Sequence, residues 1–161
     1  MSAIQPLKLL LSEIDRSLQV LGRIEQYYDQ YTQAMDRVHP TRENAIVVAE
    51  ILVNYYTCLE TAFLRISQQF ENNLDRDRWH NELLDRMLLE VEGTRPQVLS
   101  EAAHGALREL MRFRHFKRYY LEFDYDWDRL QFLQRKLAAA RACVREDLAL
   151  FQAQVRAAAE E

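Results

Sequence analysis

Apolar residues recur at alternating steps of three and four along most of this chain, and that spacing restricts the fold more than any other feature. The clearest pattern keeps these steps without a break at Leu52, Tyr56, Leu59, Phe63, Ile66 and Phe70. Such a stripe is typical of the buried face of a helix. The 161 residues include only three glycines and three prolines, too few for the many turns of a sheet protein. The sequence therefore predicts an all-α fold.

Turn and capping residues predict where the helices begin and end. The expected bounds are Leu7 to Met35, Thr41 to Phe70, 79 to 93, Ser100 to Tyr120, and a last helix from Asp126 onward. Thr41, Ser100 and Asp126 carry side-chain oxygens suited to N-caps, and Gly93 suits a helix end. A polar loop is expected over 71–78. Because the connections are short, we expect an antiparallel bundle of four to five helices in a single domain, residues 1–161.

Charge, cysteines and hydropathy narrow the classes of function. A net charge of −4 gives no general attraction to nucleic acid, so a nucleic-acid site would need a local basic patch. Cys58 and Cys143 stand alone within apolar patterns, without the spacing of a zinc site, and we predict no metal and no cofactor. No apolar run approaches the roughly 20 residues of a membrane span, and the N-terminus lacks a cleavable signal pattern. We expect a cytoplasmic protein without a membrane partner.

The stretch RFRHFKRYYLEF, residues 112–123, concentrates cations and aromatic rings in a chain that is acidic overall. One interpretation is electrostatic: cations stabilise the C-terminal end of a helix and pair with the acids that follow, from Glu122 to Asp128. The other is single-stranded RNA binding, because guanidinium groups clamp phosphates and tyrosine rings stack on unpaired bases. In that case the expected RNA-binding residues are Arg112, Lys117, Arg118 and Tyr120. The residue types alone leave both interpretations open.

Glu60 interrupts the apolar pattern of the second predicted helix. A carboxylate at the edge of a core is costly unless a cation pairs with it. We therefore predict that an arginine of the basic run 108–118 is the partner of Glu60.

Four stretches of the sequence resemble HepT-like proteins of the HEPN superfamily in their order and spacing. They are NYYTCLETAFLRIS (54–67), WHNELLDRM (79–87), TRPQVLSEAAHGALREL (94–110) and RFRHFKRYYLEFDYDWDRL (112–130). The resemblance implies an HEPN-like helical bundle that forms a homodimer and acts as a metal-independent RNase. It also implies the toxin half of a prokaryotic toxin-antitoxin module, with RNA, such as transfer RNA, as substrate and a minimal nucleotidyltransferase as the antitoxin partner.

The family signature is an Arg, four to six other residues and a His, which meets the same motif of a second subunit across the dimer interface. By resemblance, Arg114 takes the place of the family Arg, while Tyr119 stands at the His position and Leu121 at a following Tyr position. Histidine, with a pKa of about 6.5, transfers protons at neutral pH, whereas tyrosine, at about 10, is a poor base. The nearest remaining imidazole is His115. The predicted catalytic residues are therefore Arg114, His115 and Tyr119, and Tyr120 is the nearest candidate for modification by AMP transfer.

Three alternatives remain open for the chemistry of this stretch. Arg108 and His115 also satisfy the motif spacing, although they lie two helical turns apart. Tyr119 could instead donate a proton as a phenol, which would give an atypical RNase. Otherwise the protein binds RNA or its nucleotidyltransferase partner without cleavage, and the cations of the basic stretch face an acidic surface of that partner.

Overall fold

The computed structural model describes residues 4–71 and 79–160, and this part of the chain forms five helices. They are α1 (Ile4–Ala34), α2 (Arg42–Phe70), α3 (Trp79–Met87), α4 (Glu101–Tyr119) and α5 (Trp127–Glu160). The all-α prediction is confirmed. The polar loop predicted over 71–78 lies, apart from Glu71, outside the described residues.

The N-caps read from the sequence are confirmed. Thr41 accepts a hydrogen bond from the Asn44 backbone N–H at 3.1 Å, and the Asn44 side chain accepts one from the Thr41 backbone N–H at 2.9 Å. These reciprocal bonds form a capping box, which satisfies two N–H groups that the first turn leaves without helical partners. Ser100 caps α4 in the same way through its hydroxyl. The Asp126 carboxylate accepts the backbone N–H of Asp128 at the start of α5.

The predicted end of the third helix at Gly93 is wrong, because α3 ends at Met87. The chain then turns back on itself, with backbone pairing between Val91 and Arg95 and a φ of 70° at Gly93. The Arg95 guanidinium donates to the carbonyl oxygens of Arg86 and Leu89, both at 2.8 Å. The buried Arg95 side chain thus supplies hydrogen bonds to carbonyl oxygens at the end of α3. The helix therefore ends before its apolar pattern does.

Contacts between α1 and α5 show that these two helices run antiparallel. Near the N-terminus of α1, Asp15 accepts a hydrogen bond from Gln152 at 2.8 Å, whereas further along α1 the Tyr28 hydroxyl donates to Gln134 at 2.9 Å. Position numbers on α5 therefore fall as those on α1 rise. The α1 to α2 and α4 to α5 pairs are joined by short connections and pack along their lengths. The prediction of an antiparallel bundle is confirmed.

The central helix of the bundle is α2, which packs against the other four helices. It buries thirteen of its residues, including Tyr56, Phe63 and Ile66. By length and composition α2 could cross a membrane, with a mean hydropathy of 1.3 over 18 residues, so the sequence-based statement that no run approaches a span is wrong for this helix. Since 56% of that window is buried inside the bundle, the packing of a core helix accounts for its apolar character.

A network of ion pairs joins α1 to α5. The buried carboxylate of Glu25 accepts a hydrogen bond from Arg141 at 2.9 Å and also pairs with Arg145. Asp29, one turn further along α1, receives two bonds from Arg141, at 2.7 and 2.9 Å. The hydrogen bonds from Arg141 hold the pKa of Asp29 below its usual value.

We expect Asp29→Asn to lower the stability of the protein at neutral pH but not in strong acid. A lowered pKa in the folded state means that Asp29 stabilises the fold above its ordinary pKa, and that this contribution is lost as the pH falls through the lowered value. Because the side chain is partly exposed, the loss at pH 7 should be about 1 kcal/mol. Urea unfolding of both proteins from pH 7 to pH 2 measures it. A difference that stays constant with pH would contradict the prediction, and Asp124→Asn, in an exposed pair with Arg42, is the control.

Candidate functional site at the C-terminal end of α4

The basic stretch divides into two faces of α4. The buried stripe of this helix includes Leu107, Leu110 and Phe113, and Arg114 and Lys117 continue along the side that faces α2. Five other side chains are exposed on the outer side and form a surface that we name the α4 ridge: Arg108, Arg112, His115, Arg118 and Tyr119. The helical register therefore gives the cations of one short stretch two different environments.

On the inner side, Arg114 pairs with Glu60 of α2. An Nη1 atom of Arg114 donates to the Glu60 carboxylate at 2.6 Å, and this confirms the predicted partner of Glu60. The Glu60 side chain is only 5% exposed, while that of Arg114 is 29% exposed. The buried hydroxyl of Tyr56 lies one turn before Glu60, and burial, followed by the negative charge of Glu60, raises its pKa. Arg114 is therefore held in place by a buried carboxylate and keeps only one edge in solvent.

Lys117 also faces α2, where its amino group lies 2.8 Å from the carboxylate of Glu50. The acids after α4 have other partners in the described part of the chain. Asp124 pairs with Arg42 at 2.9 Å, and Asp126 caps α5. The cations thus lie at a helix end, as the electrostatic interpretation expects, but Arg114 and Lys117 pair with acids of α2 instead of the acids after α4.

The α4 ridge brings an imidazole, a phenol and a guanidinium together on an open surface. The ring centres of His115 and Tyr119 are 5.3 Å apart, edge to face. The guanidinium of Arg118 lies 5.9 Å from the Tyr119 ring. Tyr119 is 69% exposed, so both groups beside it are open to a large ligand. Arg112 also lies on the ridge and makes an exposed contact with Glu109 at 3.2 Å.

Arg108 extends the ridge by two turns, although it was not among the predicted site residues. It is seven positions before His115, which corresponds to about 10 Å along the helix axis. It is exposed, and the structure records no ion pair for it within the described residues. The signal was present in the sequence, because Arg108, Arg112 and His115 follow steps of four and three, which place them on one face.

Tyr120 is placed differently from its neighbour Tyr119. Its hydroxyl donates to the backbone carbonyl of Asp124 at 2.7 Å, and its ring stacks on Phe116 with centres 4.9 Å apart. Arg129 of α5 covers Phe116 at 4.9 Å. These contacts fix the turn after α4 against α5. The AMP-transfer prediction requires the Tyr120 hydroxyl, which is engaged in the hydrogen bond to Asp124. The ring of Tyr119, in contrast, is exposed.

The remaining histidines and cysteines are separate from the ridge. His104 lies 2.8 Å from Asp85, an arrangement that joins α4 to α3. Cys58 and Cys143 are not paired, and burial raises the pKa of both thiols. Among the side chains that the structure describes, no three of His, Cys, Asp or Glu are grouped so that they could hold a metal ion. The side chain of His80 lies outside the described part of the structure.

The fold and the site define a helical-bundle protein with an exposed cationic surface at the end of α4. A model of the HepT-like protein family matches residues 47–155, which is more than half of the chain. The chain therefore belongs to the HepT-like protein family. The matched segment contains the whole α4 ridge and the Glu60–Arg114 pair. No curated protein and no solved structure matches the chain.

The Glu60–Arg114 contact can be tested by a double-mutant cycle. We expect Glu60→Gln and Arg114→Gln each to destabilise the protein, with a coupling of about 1–3 kcal/mol, because each single change leaves a partly buried group without its partner. Urea unfolding of the wild type, both single variants and the double variant gives the coupling. The exposed pair between Glu13 and Arg65, at 2.8 Å, is a matched control with an expected coupling below about 1 kcal/mol. Equal couplings in the two cycles would contradict the prediction.

Proposed function

We propose that the protein is the toxin component of a prokaryotic toxin-antitoxin module and cleaves RNA without a metal ion, as a cytoplasmic homodimer. Membership of the HepT-like family supports the toxin assignment. On the same ground, the proposed antitoxin is a minimal nucleotidyltransferase. The observation that carries the RNase proposal is the meeting of His115, Arg118 and Tyr119 on the exposed ridge.

Cleavage of RNA without metal needs three functions, and the ridge offers a group for each. His115 takes the proton of a ribose 2'-hydroxyl, whose oxygen then attacks the adjacent phosphorus. The bond from phosphorus to the 5'-oxygen breaks, and the Tyr119 phenol gives a proton to that leaving oxygen. Arg118 and Arg112 neutralise the phosphate during the reaction. The products are a 2',3'-cyclic phosphate and a free 5'-hydroxyl.

Arg114 supports this site from the inner side of α4. Its ion pair with Glu60 fixes the position of the helix end, and its exposed edge adds positive potential close to His115. Lys117 adds a second charge on the same side. We propose these two residues as contributors to phosphate attraction, with the direct contacts made by the ridge.

A second copy of the chain would complete the site. Beside the ridge, two apolar side chains are open to solvent: Leu121 is 83% exposed and Phe123 62%. Large exposed apolar side chains beside cations are typical of a contact surface. Packing of two such surfaces about a twofold axis would bury these side chains and place two ridges on one RNA strand.

The second candidate function is binding of RNA or of the nucleotidyltransferase without cleavage. It is favoured by the engagement of Arg114 with Glu60, together with the tyrosine that the resemblance places at the family His position. In this case the ridge would supply affinity, while no group would act as an efficient base.

Incubation of the purified protein with labelled transfer RNA and with total RNA tests both functions. Cleavage that persists with a chelator, and yields cyclic phosphate ends, would support the RNase. Intact RNA in a retarded complex would support the binding function instead. Intact RNA without a complex would contradict both RNA cleavage and RNA binding. Co-expression with an adjacent nucleotidyltransferase gene should relieve growth arrest if the toxin assignment is correct.

A further inference from the structure

A cleft of about 370 Å³ lies between the C-terminal part of α1 and the first turns of α5. It shares no residue with the α4 ridge. Its polar lining includes Tyr28, Arg37, Trp127, Gln131, Gln134 and Arg135. This volume is at the lower end of the roughly 300–1,000 Å³ that small-molecule sites occupy. The cleft is therefore large enough for a small organic molecule.

The charge of the cleft is positive. Its lining includes two arginines and no carboxylate. Arg37 is held over the end of α1 by a hydrogen bond from Nε to the carbonyl of Thr32 at 3.3 Å. Burial raises the pKa of the Tyr28 hydroxyl, and the positive charge of Arg37 partly offsets this rise. Within the described part of the chain, the structure records no ion pair for Arg37 or Arg135. Two guanidinium groups thus remain able to bind an anion.

The walls of the cleft offer further hydrogen-bond donors. The Tyr28 hydroxyl uses the side-chain oxygen of Gln134 as its acceptor, which leaves the Gln134 amide N–H groups as donors. The indole N–H of Trp127 is buried and has no hydrogen-bond partner among the described residues. That N–H group is closed off from solvent, and the ring of Trp127 lines the cleft together with Met35 and Ala138.

We propose that this cleft binds a small phosphate monoester whose organic group is a flat ring. The phosphate lies between Arg37 and Arg135, where a dianion can receive paired N–H bonds from planar guanidinium groups. The ring of the ligand lies against Trp127 and the apolar wall. The site does not depend on RNA cleavage by the ridge.

Nuclear magnetic resonance of the ¹⁵N-labelled full chain tests the site directly. The protein has two tryptophans, so Trp79→Phe assigns the indole signal of Trp127. Titration with phenyl phosphate should shift that signal and saturate, while phenol and inorganic phosphate should bind at least about tenfold more weakly. Arg37→Ala and Arg135→Ala should each weaken binding about tenfold, because each removes a charged contact to phosphate.

The matched control is Arg156→Ala, which removes an exposed arginine near the other end of α5 and should leave the affinity unchanged. Both arginines of the cleft are exposed, so their variants should fold normally. An indole signal that does not move at millimolar phenyl phosphate would overturn the proposal. Equal affinity for phenol and phenyl phosphate, or unchanged affinity in both arginine variants, would do the same.

Discussion

Replacement of His115 by alanine is expected to lower the rate of RNA cleavage by about 100-fold to 10,000-fold, the usual cost of losing a positioned acid or base. His115 is the only histidine on the α4 ridge, and its ring lies beside the exposed phenol of Tyr119. No other group of the ridge accepts a proton readily at neutral pH, since the arginines stay charged and tyrosine stays protonated. The measurement is the single-turnover cleavage rate of labelled transfer RNA at saturating protein.

A control must separate chemistry from binding and folding. His39→Ala changes an exposed histidine in the turn before α2 and should leave the rate unchanged. RNA affinity, measured in parallel, should fall only slightly for His115→Ala, because the ridge arginines remain. A rate within about threefold of the wild type would show that His115 is not the proton acceptor, as would a loss that follows affinity alone.

Unlike His115→Ala, Arg118→Ala should lower the affinity for RNA as well as the cleavage rate. The guanidinium contacts phosphate both before and during the reaction, so both affinity and rate should fall, and the salt dependence of binding should become weaker. We expect about a tenfold to 150-fold loss of affinity, because a charge-assisted contact is worth about 1.5–3 kcal/mol. Arg156→Ala, far along α5, is the control for loss of one surface charge. An unchanged salt dependence would place the RNA elsewhere on the protein.

The helices could be predicted because local signals and packing agree. Apolar spacing gave the faces of the helices, and Thr41, Ser100 and Asp126 gave their starts, since each cap depends on side chains within three positions. The end of α3 could not be predicted in this way. It depends on Arg95, whose guanidinium folds into the bundle and binds carbonyls six and nine positions earlier. Apolar spacing alone contains no signal for such a buried charge.

The candidate site was only partly predictable for a related reason. The separation of Arg114 from Arg112 and His115 follows from periodicity, because Arg114 is four positions after the buried Leu110 and therefore shares its face. The same rule places His115 and Tyr119 side by side. The role of Tyr120 could not be predicted, because its hydroxyl binds a carbonyl in the turn after α4. That contact depends on the conformation of an irregular segment, for which residue spacing gives no guide.

The Arg95 side chain also leads to the largest stability effect that we expect. Arg95→Ala should lower the free energy of unfolding by about 3–5 kcal/mol, the usual cost of removing one partner from a buried ion pair. The side chain is fully buried, and its Nε lies 2.7 Å from the Glu71 carboxylate. It also donates to the carbonyl oxygens of Arg86, Leu89 and Pro96. Alanine would remove all of these donated hydrogen bonds and open a cavity between α2 and the turn after α3.

Urea unfolding measures this loss, and two further variants identify its cause. Arg95→Met keeps most of the volume but none of the donors, so it should recover less than half of the loss if hydrogen bonding is the main cause. Arg65→Ala breaks an exposed pair with Glu13 of similar length and should cost less than about 1 kcal/mol. Full recovery by methionine would mean that Arg95 acts by filling space. A loss as small as that of Arg65→Ala would mean that the turn after α3 tolerates a missing guanidinium, and that Arg95 does not determine where α3 ends.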